Sequence, residues 1–276
     1  MNYSKLLICP GAQKAGTTWL FRVLKKHPDF WMPPQKELDY LFHFRPSRQK
    51  YSRKMGAKLQ EAKPTNQTRK WMRAFIREWR LEKYPSLFEP AGDRFAGDVS
   101  PNYSRMSAEE IARAGNLVRG ARIVILLRDP VPRAWSHARN TAKTWGVDDQ
   151  EVLIGRMSRF VSSRICDLMS DYPRLITDWS NSFGADRVLA CFYDELERDP
   201  ATFIDRILAF MGAPNYPEDR LNELETRPNV GASIAIPEPV RELLTDRYAP
   251  MLQRLRNIVS LTNAPVWLGA ESSVER

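Results

Sequence analysis

The 276-residue sequence contains only three cysteines and three histidines. No apolar run in it approaches the ~20 residues of a membrane span. Cys9, Cys166 and Cys191 are odd in number, lack metal-ligand spacing and lie in apolar surroundings. That pattern argues against a disulfide framework or a thiolate metal site and predicts buried thiols in a reducing compartment. The start, MNYSKLLICPGAQ, lacks the long apolar stretch and small-residue cleavage site of a secretory signal, so a cytoplasmic location is expected. Internal repeats and low-complexity linkers are also missing, which removes solenoid and linker-joined architectures. What is there is a 43% hydrophobic composition with eight tryptophans, enough for a folded globule, on a chain long enough for a single α/β domain over residues 1–276.

Positive charge is plentiful but unevenly placed. The net charge is +9, yet between Phe42 and Tyr84 thirteen Lys and Arg face three Glu, an excess of ten, leaving the rest of the chain at −1. One segment therefore owns the basic character, and residues 42–95 read as a basic helical insertion.

Along the chain, short apolar runs alternate with helical periodicity. KLLICP, RFAGDVSP, ARIVILLRDP and DRVLACFYDEL read as strands, ARIVILLRDP most strongly through Ile123 to Leu127. TTWLFRVLKKH places Trp19, Leu20, Val23 and Leu24 on one helical face and stops before Pro28. FWMPPQKELDYLFHF reads as an extended piece, broken at Pro33-Pro34, leading into a short aromatic helix. SAEEIARAGNLV is a helix with a Ser107/Glu110 capping box, and VPRAWSHARNTAK starts its helix at Pro130. Two further helices are predicted between Glu151 and Phe183, and two more later, in PATFIDRILAFMGAP and PEPVRELLTDRYAPMLQRLRNIV. Alternation of this kind predicts an α/β, P-loop-like three-layer fold with a mostly parallel sheet between helices.

The first strand runs into PGAQKAGTTWL. Strand, glycine loop and helix form an anion cradle, because glycines let backbone N–H groups turn inward and the helix start adds partial positive charge. Gly11 and Gly16 have the spacing of a phosphate loop and Thr18 stands at its Ser/Thr position. Position 17, however, is Thr where a nucleotide kinase has lysine, and Lys14 is the loop's lysine. A second anion site is expected in LLRDPVPRAWS, where Arg128 follows the strongest strand and Ser136 lies two helical turns on. Two anion sites on one sheet predict a ligand with two separate phosphates.

These segments resemble the sulfotransferases that use 3′-phosphoadenosine 5′-phosphosulfate (PAPS), particularly bacterial members and the heparan-sulfate type. PGAQKAGTTWL is similar to their 5′-phosphosulfate loop and ILLRDPVPRAWSHARN to their 3′-phosphate segment. QKELDYLF, GDVSPNYS and CFYDELERDPATFIDRILAFMG match later family segments in order, from about residue 5 to residue 260. The resemblance implies PAPS as donor, adenosine 3′,5′-bisphosphate as product, no metal requirement, and in-line sulfuryl transfer to an acceptor hydroxyl or, second, an amine. It assigns Gly11, Ala12, Gln13, Lys14, Ala15, Gly16, Thr17, Thr18 and Trp19 to the nucleotide's 5′ side, and Arg128 and Ser136 to its 3′-phosphate. Lys14 would meet the charge that develops on the bridging oxygen. Glu37, beside Lys36, would be the general base, with His43 and then His137 as rivals; a solvated Glu, with a pKa of ~4.3, needs desolvation to do that work. RPNVGAS is similar to the loop the family folds over the nucleotide, which brings in Arg227, Gly231 and Ser233. Val99 stands where heparan-type members usually carry a lysine, a departure that weighs against a glycosaminoglycan acceptor and leaves a lipid head group, a sugar or a small metabolite.

In RKWMRAFIREWRLEKY, Trp71, Phe75 and Trp79 recur at helical spacing, with Arg69, Lys70, Arg73, Arg77, Arg80 and Lys83 over much of the remainder. The pattern fits a helix over residues 69–83 packed above the acceptor cleft, or one lying on an anionic surface at the inner face of the membrane. Two other readings of the whole chain are a P-loop kinase or NTPase, which would need lysine at position 17 and a magnesium-holding aspartate such as Asp129, and a nucleic-acid-binding protein. The confined charge and the lack of a nucleic-acid motif disfavour the last.

Overall fold

A computed structural model of the chain describes residues 3–42, 80–225, 234–259 and 264–269. Its centre is a five-stranded sheet made of β1 (Leu6–Cys9), β2 (Phe30–Trp31), β3 (Phe95–Val99), β4 (Arg122–Leu127) and β5 (Val188–Phe192). The strands lie in the order β2-β3-β1-β4-β5 and every pairing is parallel, with Ile8 opposite Asp98 on one side and Ile123 on the other. All four residues of β1 are fully buried. Because side chains alternate between the two faces, this requires helices on both, which is why such strands are apolar throughout.

After β1 comes α1 (Thr17–Lys26), which buries Trp19, Leu20, Val23 and Leu24 as its spacing predicts. After β3, α2 (Ala108–Leu117) starts at the predicted capping box, both of whose bonds are made. After β4, α3 (Pro130–Ala142) starts at a proline, with Asp129 Oδ1 accepting from Val131 N. Connections leave β1 toward β2 and β3 on one side, while β4 and β5 extend the other. The loops after β1 and β4 therefore part at the carboxyl edge of the sheet, the place where such sheets bind ligands.

Three helices, not two, occupy the stretch after α3: α4 (Gln150–Val161), α5 (Arg164–Ser170) and α6 (Tyr172–Phe183). The break falls at Asp171, which ends α5 and caps α6 by accepting from Arg174 N, with a proline in the new first turn. Helices α7 (Tyr193–Arg198), α8 (Pro200–Met211) and α9 (Glu238–Arg256) follow among the described residues, and sheet and helices share one apolar core.

The short aromatic helix expected after Pro34 does not form. Glu37 and Asp39 have φ of 61° and 50°, outside the helical region. Their amides turn to the end of β3 instead, Glu37 N donating to Val99 O at 3.2 Å and Asp39 N to Ser100 Oγ at 3.1 Å. Of the predicted helix over residues 69–83, residues 69–79 lie outside the described residues; Leu81–Lys83 is a single 3-10 turn. All three cysteines are free and buried, and no helix among the described residues is long and apolar enough to cross a membrane.

Candidate active site

A cleft of about 420 Å³ opens at the carboxyl edge, lined by Gln13, Lys14, Gly16, Thr17, Thr18 and Trp19 from the first loop and helix. Arg128, Ser136 and Asn140 line it from the β4 side, and Glu37 from the β3 side. The first two groups follow the carboxyl ends of the adjacent strands β1 and β4, while Glu37, on the chain after β2, is held at the end of β3 by its amide bond to Val99 O.

Within the loop, Gly11 and Ala12 continue the sheet. Ala12 N donates to Leu126 O at 2.6 Å and Leu126 N donates to Gly11 O at 2.8 Å, so these two residues anchor the loop rather than line the cleft. Ala12 and Ala15 are fully buried. The chain then turns through Lys14 at φ 68° and Gly16 at φ 90°, both in the left-handed region. Glycine is required at 16: a Cβ there would stand 2.9 Å from Leu196 Cδ2 and 3.2 Å from Tyr193 Cδ2. With Gly16 as N-cap, α1 has no side-chain cap, which leaves the first-turn amides of Thr17, Thr18 and Trp19 without an intrahelical acceptor. A buried Gln13 Oε1 adds a polar atom with no hydrogen-bond partner among the described residues. Uncapped amides at a helix start are a ready anion site.

Arg128 is held from three directions. Its Nη1 donates to Lys14 O at 2.9 Å, its guanidinium lies over the Tyr193 ring at 4.5 Å, and its carbonyl accepts from Tyr172 OH at 2.7 Å. Lys14 sits in a cationic neighbourhood: burial lowers its pKa most, followed by the charges of Lys143, Arg128 and Arg139, while Glu37 acts against them. A crowd of like charges around a half-buried ammonium is an electrostatic invitation to an anion.

Glu37 pairs with Lys36. Behind them, Asp39 is buried and accepts from Asn102 Nδ2 at 2.9 Å; burial pushes its pKa up to about 7. His137 does not line the cleft. It is buried edge-on to Phe160, with ring centroids 4.9 Å apart, and burial followed by Arg133 holds its pKa down at about 3, so it packs as a neutral ring. His43 lies outside the described residues, as do Arg227, Gly231 and Ser233. The flanks of residues 226–233 are nonetheless tied down by two indoles. Trp19 Nε1 donates to Leu224 O at 2.8 Å and Trp135 Nε1 to Ile234 O at 2.8 Å, from α1 and from the helix carrying Ser136.

Sequence reasoning missed Asn140, Tyr193, Leu196, Glu197, Pro200 and Leu224, all of which line the cleft. Asn140 lies one turn beyond Ser136 on α3, so helical spacing offered a signal. Tyr193, Leu196, Glu197 and Pro200 arrive from α7 and the start of α8, and Leu224 from the 3-10 stretch Glu218–Glu225, with none. Among the described residues no group of three or more His, Cys, Asp or Glu is placed to hold a metal ion.

A parallel sheet with a glycine loop, an uncapped helix start and a braced arginine after the neighbouring strand defines a P-loop-like α/β protein with a cationic cleft at its carboxyl edge. The sulfotransferase family model matches residues 7–218, and the chain belongs to that family. It is 26% identical over 227 residues to the mouse bifunctional heparan sulfate N-deacetylase/N-sulfotransferase 4, a match covering 75% of this chain and 22% of that protein. The Caenorhabditis elegans bifunctional heparan sulfate N-deacetylase/N-sulfotransferase 1 is 27% identical over 154 residues, a match covering 51% of this chain and 16% of that protein. The chain thus spans well under a third of the curated relatives it matches. Among solved structures, a sulfotransferase from Alicyclobacillus acidocaldarius shares the fold at TM-score 0.61 and 22% identity, covering 91% of this chain and 94% of that one. Mouse sulfotransferase SULT7A1, solved complexed with PAP, does so at TM-score 0.50 and 13% identity, covering 92% and 84%.

Proposed function

We propose that the protein transfers the sulfuryl group of PAPS to an acceptor hydroxyl or, second, an amine, releasing adenosine 3′,5′-bisphosphate. The observation that carries this reading is that Lys14, Thr17 and Thr18, Arg128 and Ser136, and Glu37 line one cleft. Its volume of about 420 Å³ falls in the range of nucleotide-sized pockets. The related structure with PAP bound supports the same nucleotide here.

In this reading the 5′-phosphosulfate rests on the amides and hydroxyls of Thr17 and Thr18, and the 3′-phosphate meets Arg128 and Ser136. Glu37 takes the acceptor proton as the acceptor oxygen bonds to sulfur. Lys14 meets the negative charge that gathers on the bridging oxygen as the old S–O bond breaks, and Lys36 pairs with Glu37. A kinase reading is disfavoured by Thr at position 17 and by Asp129, whose Oδ1 caps α3.

The acceptor class is open to direct capture. Radiolabelled PAPS incubated with the protein and an extract of its own organism should move label into one acceptor fraction. A lipid fraction would match the basic, aromatic pattern of residues 69–83 and a place at the inner membrane face, and a glycan or small metabolite would not need it. Label that leaves PAPS only at the rate seen without protein would overturn the proposal.

A further inference from the structure

Glu37, like Lys14, is not carried by a regular element, so something else must fix it. The geometry points to Asp98, at the heart of β3, as the positioning residue: it is the acceptor hub that polarises two hydroxyls and thereby clamps the backbone carrying Glu37. This rests on the reading of Glu37 as the general base.

Asp98 is fully buried, and three hydroxyls donate to its carboxylate. Ser100 Oγ reaches Oδ1 at 2.6 Å, while Tyr103 OH and Tyr84 OH reach Oδ2 at 2.7 and 2.9 Å. A carboxylate can only accept, so each hydroxyl must commit its single hydrogen to it. That leaves the Ser100 and Tyr103 oxygens with lone pairs only, and both are used on the same segment. Asp39 N donates to Ser100 Oγ at 3.1 Å and Leu41 N to Tyr103 OH at 3.2 Å.

Together with Glu37 N on Val99 O at 3.2 Å, the amides of residues 37, 39 and 41 are all pinned to the end of β3. Two of these residues, Glu37 and Asp39, hold left-handed φ values, a conformation that is unfavourable for a non-glycine residue and persists only under restraint. The third hydroxyl extends the clamp to the far side of residues 43–79. Tyr84 lies against Tyr40, with centroids 5.8 Å apart, and Tyr40 OH donates to Arg80 O at 2.7 Å.

Burial raises the Asp98 pKa, and the hydroxyls of Ser100, Tyr103 and Tyr84 and the charge of Lys36 oppose it. Tyr84 and Tyr103 are themselves held well above the usual phenol range by burial and then by Asp98, so their protons stay on oxygen. Asparagine in place of Asp98 would offer an N–H where an acceptor is needed, forcing one hydroxyl to reverse.

The test combines amide hydrogen exchange with turnover of radiolabelled PAPS, using the acceptor fraction of the extract or, failing that, water. Asp98→Asn should lose protection at least tenfold at the Asp39 and Leu41 amides and lower turnover ten- to a hundredfold, with unchanged affinity for adenosine 3′,5′-bisphosphate. Placed on Glu37→Gln, the same change should lower turnover no further, because it acts through Glu37. Should Asp98→Asn fail to fold, Ser100→Ala removes only one link and should expose the Asp39 amide while Leu41 stays protected. Unchanged protection at both amides, or a full additional loss on the Glu37→Gln background, overturns the proposal. Near-normal turnover of Glu37→Gln alone would instead overturn the base assignment.

Discussion

Arg128 Nη1 donates to the carbonyl oxygen of Lys14 at 2.9 Å, so the arginine after β4 braces the loop after β1. The two anion sites are thus one mechanical unit. Under the proposed function, removing Arg128 takes a charge from the 3′-phosphate as well as a strut from the 5′ loop.

Arg128→Ala should weaken binding of adenosine 3′,5′-bisphosphate by about ten- to a hundredfold, the ~1.5–3 kcal/mol of a charged hydrogen bond. Binding of adenosine 5′-phosphate should fall less, since only the strut is lost there. Arg128→Lys should recover part of the charge but not the planar fork or the stack on Tyr193. Calorimetric titration of both nucleotides against the three proteins checks this, and equal losses for the two nucleotides would remove the 3′-phosphate from Arg128.

Glu37→Gln should keep nucleotide affinity and lower turnover by ~10²–10⁴-fold, the usual weight of general base catalysis. Lys14→Ala should impair both, because the ammonium serves binding as well as the developing charge. Single-turnover rates with radiolabelled PAPS separate the two effects. Normal turnover in Glu37→Gln would shift the base to His43 or to the acceptor itself.

The two segments that line the cleft from β1 and β4 were legible in the sequence because they are local: strand, loop and helix are contiguous in PGAQKAGTTWL and again around Arg128. Tyr193 was not, because it meets Arg128 only through the pairing of β4 with β5. The stretch Leu38–Phe42 was misread as a helix because its aromatic spacing is local while its hydrogen bonds are not. The acceptors of the Asp39 and Leu41 amides sit more than sixty residues away, at Ser100 and Tyr103. The break at Asp171 that splits the later helices did carry a local signal, a capping aspartate followed by Pro173 in the first turn.

His137 makes acid stability a readable property. Its pKa is about 3 in the folded protein against an ordinary 6.5, burial being the first cause. Below pH 6.5 the unfolded chain takes up this proton while the folded chain refuses it. The stability due to a neutral His137 is therefore complete above pH 6.5 and is lost as the pH falls toward 3. His137→Gln should lower Tm at pH 8 through lost packing on Phe160, with the deficit against wild type shrinking between pH 6.5 and 4. A deficit that stays constant over that range would mean His137 is charged when folded.

The basic stretch gives a separate test of where the protein works. If residues 69–83 meet an anionic surface, the protein should sediment with vesicles containing anionic lipid and not with zwitterionic ones, and added salt should release it. Arg73→Glu with Arg77→Glu should abolish the sedimentation. Equal behaviour with both vesicle types would return the stretch to a role over the acceptor cleft.

The central claim is that the cleft is built for a nucleotide with phosphates at both the 3′ and 5′ positions, and thermal unfolding of the wild-type protein tests it most directly. Adenosine 3′,5′-bisphosphate at about a hundred times its Kd should add ~2.7 kcal/mol of stability and raise Tm clearly. Adenosine 5′-phosphate at the same concentration should raise it much less, and magnesium-ATP little or not at all. A larger shift with magnesium-ATP than with the bisphosphate, or equal shifts with the bisphosphate and the 5′-phosphate, would contradict the account.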